Sequence, residues 1–215
     1  MIQPMKIDFI SDVSCPWCAI GLHSLEAALE RTRDVVDATI EFQPYELNPT
    51  MPPQGQNIVE HVAQKYGSTR EQSEANRDIL RARAADVGFA MPVPAHSRIY
   101  NTRDAHRLLH WAAGEGFQAE LKHRLFDANF TENLNVSDPT VLADAAEKAG
   151  LNRAGAEAVL ASDRFSREIQ DAERMWRSRG IHSVPAILIN GRHLISGGQP
   201  PEIFEQAIRE IAAQA

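Results

Sequence analysis

The spacing of apolar residues near the start of the chain predicts a strand, a helix and a second strand. Lys6–Ile10 is rich in residues that favour strands, and from Pro16 to about Arg31 apolar residues recur every three to four positions, as in an amphipathic helix. Thr39–Gln43 then alternates polar and apolar residues, as a strand with one covered face would. Strand, helix and strand at these lengths form a βαβ unit with a right-handed crossover.

A long helical region follows a break in this pattern. Asn48–Asn57 contains three prolines and one glycine, so we expect it to leave the sheet. From there to about Arg179 the apolar spacing is almost wholly helical, interrupted by the proline-rich segment Met91–Ser97. The predicted helices are Ile58–Tyr66, Thr69–Val87, Thr102–Glu115, Phe117–Phe130, Pro139–Ala149, Arg153–Ala161 and Phe165–Arg179.

Strand signals return near the end of the chain. Pro185–Asn190 is an apolar run, Asn190-Gly191 is a strong hairpin signal, and His193–Ser196 is the expected returning strand. A last helix, Pro200–Ala213, keeps its apolar residues on one face. The sheet therefore draws on both ends of the chain.

These patterns predict an α/β fold with two parts. Residues 1–50 and 180–215 are expected to form one domain with a βαβ half and a C-terminal ββα half. Residues 51–179 are expected to form a large all-helical insertion between the two halves.

Composition and charge narrow the class of protein. Hydrophobic residues make up 43% of the 215 residues, enough to fill a core without a disulfide framework. The formal net charge is −7 and basic residues are mixed with acidic ones, which argues against a nucleic-acid partner. No segment approaches the roughly 20 apolar residues of a membrane span, and the N-terminus lacks a signal-peptide pattern. We therefore expect a soluble, cytoplasmic protein with no membrane partner.

The candidate chemistry lies in the only two cysteines, Cys15 and Cys18, which are separated by Pro16 and Trp17 at the predicted start of the first helix. Unpaired backbone N–H groups and the helix dipole favour a thiolate at such a position. Cys18 lies one turn further on, where it can attack a mixed disulfide formed at Cys15. The pattern therefore predicts a dithiol–disulfide couple in which Cys15 attacks and Cys18 resolves.

Two other interpretations of the pair were weighed. A zinc site needs two more ligands, and without a second cysteine pair only His23, His182 or His193 could supply them. Two buried, inert cysteines would not need a helix start with proline between them. We favour the redox couple over both, and we expect neither a metal site nor a resident cofactor.

A second motif, which contains Pro185, supports the redox interpretation of the cysteine pair. Gly180–Ala186 (GIHSVPA) opens the late strand, and Pro185 can neither donate to the strand ladder nor bind a metal, but it could lie beside the cysteines. Together the motifs resemble the thioredoxin-fold DsbA family, most closely its cytoplasmic FrnE-type branch, which is related to 2-hydroxychromene-2-carboxylate isomerases and kappa-class glutathione transferases. The matching stretches are DVSCPWCAIG at 12–21, FQPYELNP at 42–49, NTRDAHRLLHWA at 101–112, GIHSVPAILING at 180–191 and ISGGQPPEIF at 195–204.

The resemblance implies roles for several residues. It implies that Cys15 is the exposed nucleophile, that Cys18 is the resolving thiol, and that Val184-Pro185 is a cis peptide packed against them. The backbone of Val184 would be offered to a bound polypeptide or thiol substrate as an added strand.

One position departs from the pattern of thioredoxin-like enzymes. These enzymes often hold a buried acid six residues before the nucleophile, and here that place is taken by Phe9. Asp12 is the nearest carboxylate. We interpret it as a cap or turn residue before the helix rather than as a proton-transfer group.

Four further residues are candidates for substrate binding. Trp17, with Pro16 beside it, is expected on the substrate surface. His182 is a candidate for tuning the thiolate, although a loop histidine is more often simply solvated. In the resembled family the start of the inserted helix faces the active-site groove, which makes Asn101 a candidate; otherwise Asn101 is an ordinary helix cap.

We therefore predict a thiol–disulfide oxidoreductase. Its expected partners are thiols and disulfides of polypeptides or of glutathione-like small molecules, and glutathione is a candidate co-substrate. One alternative is a glutathione-dependent isomerase or transferase acting on a small aromatic or polyketide-like molecule, although such relatives typically carry serine where Cys15 stands. Another is a redox-regulated protein that binds client polypeptides. The direction of exchange and the oligomeric state are left open by the sequence.

Overall fold

The computed structural model describes residues 2–214. In chain order its elements are β1 (Gln3–Ser11), α1 (Pro16–Arg31), β2 (Val36–Pro44), β3 (Gln56–Asn57), α2 (Ile58–Tyr66), α3 (Arg70–Asp86), β4 (Arg98–Ile99), α4 (Arg103–Glu115), α5 (Gln118–Phe126), a π-helical turn (Asp127–Thr131), α6 (Pro139–Lys148), α7 (Arg153–Leu160), α8 (Ser166–Ser178), β5 (Ala186–Ile189), β6 (His193–Ser196) and α9 (Pro201–Ala213).

The main sheet has four strands in the order β2-β1-β5-β6. β1 runs parallel to β2 and antiparallel to β5, and β5 pairs antiparallel with β6. Phe9 in β1 stands opposite Phe42 on one side and Ile187 on the other. A central strand is covered on both faces, which explains why β1 ends in a continuous buried run. The prediction of a thioredoxin-like α/β fold built from both ends of the chain is confirmed.

The turn between β5 and β6 forms at Asn190-Gly191, as predicted. Both residues have positive φ angles, 50° and 68°, as the two central residues of a type I′ turn require, and the N–H of Arg192 closes the turn on the carbonyl of Ile189 at 3.1 Å. Because Ile189 pairs with His193, the loop has three residues. The side chain of Asn190 also accepts a hydrogen bond of 2.9 Å from the backbone N–H of Lys6. The turn is therefore tied to β1 as well as to its own two strands.

The apolar core has two main parts. One surrounds the sheet and includes Phe9, Leu22 and Phe204 from β1, α1 and α9. The other lies among helices α4 to α7 and includes Leu108, Leu121 and Leu142. The domain boundaries predicted above stay a prediction, and their outermost residues, Met1 and Ala215, lie outside the described residues.

Three details differ from the expected elements. β1 and β2 are each longer than predicted. The helix expected over Phe117–Phe130 is regular only to Phe126 and then continues as the π-helical turn. The helical insertion also contains the short antiparallel pair β3–β4, whose two-residue strands are too short to produce an alternating pattern.

The helices within residues 2–214 fall short of the length and apolar character that crossing a bilayer requires.

Candidate active site

The two cysteines lie at the N-terminal end of α1, as predicted. Cys15 is the N-cap residue, with extended backbone angles, and Pro16 is the first helical residue. The carbonyl of Cys15 accepts hydrogen bonds from the N–H groups of Cys18, at 3.0 Å, and Ala19, at 3.3 Å. Proline at the first position leaves no helical hydrogen bond unmade, because that N–H would have had no partner in the helix. Both cysteines are free thiols.

The two sulfurs lie in different surroundings. Cys15 is only 5% exposed, less than the resemblance implies, but it borders a cavity, whereas Cys18 is fully buried. The thiol of Cys15 donates to the carbonyl of Val184, at 3.7 Å. Burial, together with the hydrogen bond and charge of Cys15, raises the pKa of the Cys18 thiol well above its ordinary value. A molecule in the cavity can therefore contact Cys15 before Cys18.

The Val184-Pro185 peptide bond is cis, as the resemblance implies. Pro185 is buried against α1, and its carbonyl accepts a hydrogen bond of 2.8 Å from the N–H of Gly197. This arrangement places the carbonyl of Val184 at the sulfur of Cys15.

Two glycines that the sequence did not single out allow this close approach. A Cβ atom on Gly21 would lie 3.1 Å from the Cα of Gly198 and 3.2 Å from the Cγ of Pro185. A Cβ atom on Gly198 would lie 2.7 Å from the carbonyl oxygen of Trp17. Only glycine fits these positions without displacing backbone. Both lie in stretches that carry the resemblance, but close packing leaves no local signal in a sequence.

Asp12 is fully buried beside the cysteines and joins three segments. Its carboxylate accepts hydrogen bonds from the N–H of Leu47, at 2.7 Å, and from the hydroxyl of Ser14, at 3.0 Å, and it lies 3.4 Å from Nε2 of His106 on α4. Burial alone would raise the pKa of Asp12, but His106 and the N–H of Leu47 outweigh it and lower this pKa to about 2. The contact with Ser14 agrees with the turn interpretation.

A buried lysine acts through its charge on both cysteines, and the sequence analysis missed it. Lys122 on α5 is 1% exposed, and its Nζ lies 4.8 Å from the ring centre of Phe126 and 5.9 Å from that of Phe42. Burial lowers the pKa of Lys122 to about 8, against the opposing charges of Cys18 and Asp12. The lysine charge in turn favours the thiolate of Cys18. The available signal was its position four residues before Phe126, on the apolar face of α5.

The cavity beside Cys15 has a volume of about 910 Å³. It is bounded by the start of α1, the loop after β2, helices α2 and α3, and the loop before β5. Its charged lining, within the described part of the chain, is mostly cationic: Lys65, Arg77, Arg98 and Arg177 face a single acid, Glu46. Such a lining favours an anionic ligand.

Glu46 is the unusual group in this lining. It is 5% exposed, and its Oε2 has no hydrogen-bond partner. Burial, followed by the charges of Glu173 and Asp12, raises the pKa of Glu46 to about 7. The carboxyl group therefore holds its proton to a higher pH than an ordinary glutamate.

The predicted substrate-binding residues divide into two groups. Pro16, Trp17, His182 and Val184 line the cavity. Asn101 is not among the described lining residues; its side chain donates to the carbonyl of Pro49, at 3.2 Å, and accepts from the N–H of Arg103, at 3.0 Å. The geometry thus gives Asn101 a place at the start of α4, close to the cap position Thr102. Contact of each with substrate stays a prediction.

The zinc interpretation of the cysteines gains no support from the geometry. Across residues 2–214, the group of His, Cys, Asp and Glu side chains arranged closely enough to hold a metal ion contains neither Cys15 nor Cys18. His23, one of the ligands considered, is directed instead towards His123 on α5.

Comparison with known proteins matches this arrangement to one family. The family model described as "DSBA-like thioredoxin domain" matches residues 6–209. A solved structure of a probable DsbA oxidoreductase from Streptomyces coelicolor is 31% identical, with a TM-score of 0.90, over 98% of this chain and 91% of that one. The uncharacterized protein YwbO of Bacillus subtilis is 28% identical over 211 residues, 96% of each chain.

A more distant solved structure shares the fold with a different named activity. A 2-hydroxychromene-2-carboxylate isomerase is 18% identical, with a TM-score of 0.70, over 97% of each chain. Since this fold occurs in proteins named for different reactions, the residues of the site must decide the chemistry.

Proposed function

Because the chain belongs to the DSBA-like thioredoxin domain family, we propose that it is a thiol–disulfide oxidoreductase that works through Cys15 and Cys18. One observation carries the proposal: two free thiols share the first turn of α1, and one borders the cavity while the other is buried behind it. An attacking thiol needs access to substrate, and a resolving thiol needs access only to the attacking one.

In the first step the thiolate of Cys15 attacks one sulfur of a substrate disulfide. A bond forms between the Cys15 Sγ and that sulfur as the substrate S–S bond breaks, and the second substrate sulfur leaves as a thiolate that takes up a proton. The N-terminus of α1 favours the negative charge on Cys15. The backbone of Val184 lies beside the sulfur, where it can pair with an extended substrate.

In the second step Cys18 releases the captured substrate. The Cys18 thiol loses its proton, attacks the Sγ of Cys15 and forms the Cys15–Cys18 disulfide, while the bound substrate sulfur leaves as a thiol. The positive charge of Lys122 supports the thiolate of Cys18 during this attack. The two electrons gained by the substrate come from the dithiol, which a small thiol or dithiol then restores.

The same two steps run in reverse oxidise a substrate dithiol. The reduction potential of the Cys15–Cys18 couple, set against that of its surroundings, fixes which direction prevails. We propose the reducing direction in a cytoplasmic setting, because two cysteines without a structural disulfide suit a reducing compartment.

The cavity narrows the class of substrate. Its volume of about 910 Å³ lies in the range of sites for small molecules and short peptide segments. Its excess of lysine and arginine side chains suits a substrate that carries carboxylates. A glutathione-like disulfide or an acidic peptide segment joined through a disulfide meets both conditions.

The two alternatives make different demands on the site. A glutathione-dependent isomerase or transferase needs a thiol-binding groove but no resolving cysteine, and a redox-regulated client-binding protein needs no turnover. The presence of both thiols, with Cys18 placed behind Cys15, favours disulfide exchange over either alternative.

The test compares Cys15→Ser with Cys18→Ser in the reduction of insulin and of glutathione disulfide. We expect Cys15→Ser to abolish turnover, and we expect Cys18→Ser to accumulate a mixed disulfide at Cys15 that mass spectrometry can locate. Full turnover by Cys15→Ser would refute the proposal. Small-molecule isomerisation that survives in Cys18→Ser would support the isomerase, and redox-dependent peptide binding without turnover would support the client-binding protein.

A further inference from the structure

Three metal-ligating side chains meet on the side of α1 that faces the helical insertion. His23 and Glu26 stand three residues apart on α1, so they share one face of that helix. His123 on α5 reaches this face, with its Nε2 2.7 Å from Oε1 of Glu26 and its ring centre 5.3 Å from that of His23. One potential ligand atom from each residue lies within 4.8 Å of the other two.

This cluster is distinct from the cysteine site. His23 follows Cys15 by eight residues, which places it about 12 Å further along α1. His23, Glu26 and His123 do not line the cavity beside Cys15. The proposed disulfide exchange uses none of the three.

The donor set is one that zinc uses in proteins. Two imidazole nitrogens and one carboxylate oxygen bind zinc at about 2.0–2.2 Å, which separates the ligand atoms by about 3.3 Å in a tetrahedral site. The three ligand atoms here lie within 4.8 Å of one another. Side-chain rotations that move each atom by about 1 Å would bring them to the spacing of a tetrahedral zinc site. A solvent molecule could occupy the remaining position, as in zinc sites with three protein ligands.

The surroundings fix one of the three side chains and leave the other two open to solvent. The ring of His23 is stacked on that of Phe89, with centres 4.8 Å apart, and this contact holds it in place beside His123. The side chains of His123 and Glu26 are about one third exposed, so an ion can reach them from solvent.

We propose that His23, Glu26 and His123 form a binding site for a divalent transition metal ion of the zinc type. The bound ion would link α1, which carries the cysteines, to α5 of the helical insertion.

The test removes the thiols first, because a reduced cysteine pair also binds zinc. In a Cys15→Ser/Cys18→Ser background, zinc affinity is measured by competition with a chromophoric chelator, and cobalt is added as a spectroscopic substitute. We expect one zinc ion per chain and visible absorption bands from cobalt. Both His123→Gln and Glu26→Gln should weaken zinc binding at least about tenfold. The matched control is His96→Gln, which changes an exposed histidine elsewhere and should leave the affinity unchanged.

Two results would overturn the proposal. One is no zinc binding at concentrations up to about 1 mM. The other is zinc binding of equal strength in the parent, His123→Gln and Glu26→Gln, which would mean that the ion binds elsewhere. Circular dichroism checks that each variant is folded; if His123→Gln is not, Glu26→Gln decides the question. Since the thiols are absent throughout, neither result depends on the proposed disulfide exchange.

Discussion

Cys15 and Cys18 are separated by one helical turn, yet the two sides of the motif have opposite character. On the cavity side, defined by Cys15, Val184 and Glu46, a sulfur borders an open space of about 910 Å³ with a mostly cationic charged lining. On the buried side, defined by Cys18, Asp12 and Lys122, a second sulfur is enclosed with an acid and a base. This difference supports the proposed roles, in which Cys15 meets the substrate and Cys18 releases it.

Each side also holds one ionisable group whose pKa is shifted from its ordinary value. Lys122 on the buried side has a pKa lowered to about 8, and Glu46 on the cavity side has a pKa raised to about 7. Burial is the main cause in both cases, and in both it disfavours the charged form. The charge on Lys122 therefore destabilises the folded protein on the acidic side of its titration, and the charge on Glu46 does so on the basic side. The free energy of unfolding, measured as a function of pH, tells the two effects apart.

The largest effect on stability is expected from Lys122→Met. Between pH 8 and 10.5 the unfolded lysine holds its proton more tightly than the folded one, so the stability of the wild type rises with pH across this window. Below pH 8 the lysine is charged in both the folded and the unfolded state, so burying its charge lowers the free energy of unfolding by the full amount. We expect Lys122→Met to be about 2–3 kcal/mol more stable than wild type near neutral pH, with the difference fading as pH rises towards 10.5.

Urea unfolding across this pH range measures the effect, with Lys148→Met as the control at an exposed lysine. The same variant should slow the release of the mixed disulfide about tenfold, because the thiolate of Cys18 loses its nearby positive charge. A Lys122→Met variant that is less stable near neutral pH, or that releases substrate at the wild-type rate, would contradict the assignment of Lys122 to the buried side.

A smaller effect is expected from Glu46→Gln. Between pH 4.5 and 7 the folded carboxyl group holds its proton more tightly than the unfolded one, so wild-type stability falls as pH rises through this window. Removing the charge should raise stability by about 1–2 kcal/mol above the window and leave it unchanged below. Thermal unfolding at a series of pH values measures the difference, with exposed Glu74→Gln as the control. If the stability of wild type and that of Glu46→Gln depend on pH in the same way, the pKa of this carboxyl group is not raised.

The features that sequence predicted best have local causes. Pro16 at the start of α1 fixes where the helix begins, so the position of the cysteine pair followed from the order of four residues. Asn190-Gly191 specified its hairpin because a type I′ turn needs positive φ at both central positions. The alternation of polar and apolar residues, and the apolar runs, predicted the four strands β1, β2, β5 and β6, which do form one sheet.

The features that sequence missed depend on contacts between distant segments. Lys122 lies more than a hundred residues from Cys18, and nothing in its own helix shows that its charge acts on the cysteines. The face shared by His23 and Glu26 could be derived from helical spacing, but their partner His123 stands 97 residues beyond Glu26. Asn101, selected by resemblance, lies just before α4 and outside the lining of this cavity, and its contact with substrate stays a prediction.

The most direct measurement is the alkylation rate of each cysteine alone, taken with iodoacetamide on folded Cys18→Ser and Cys15→Ser near neutral pH. If the cavity side and the buried side differ as described, the remaining Cys15 reacts at least about a hundred times faster than the remaining Cys18, which must wait for the structure to open. Equal rates, or a faster Cys18, would contradict the division of the motif into an accessible sulfur and an enclosed one.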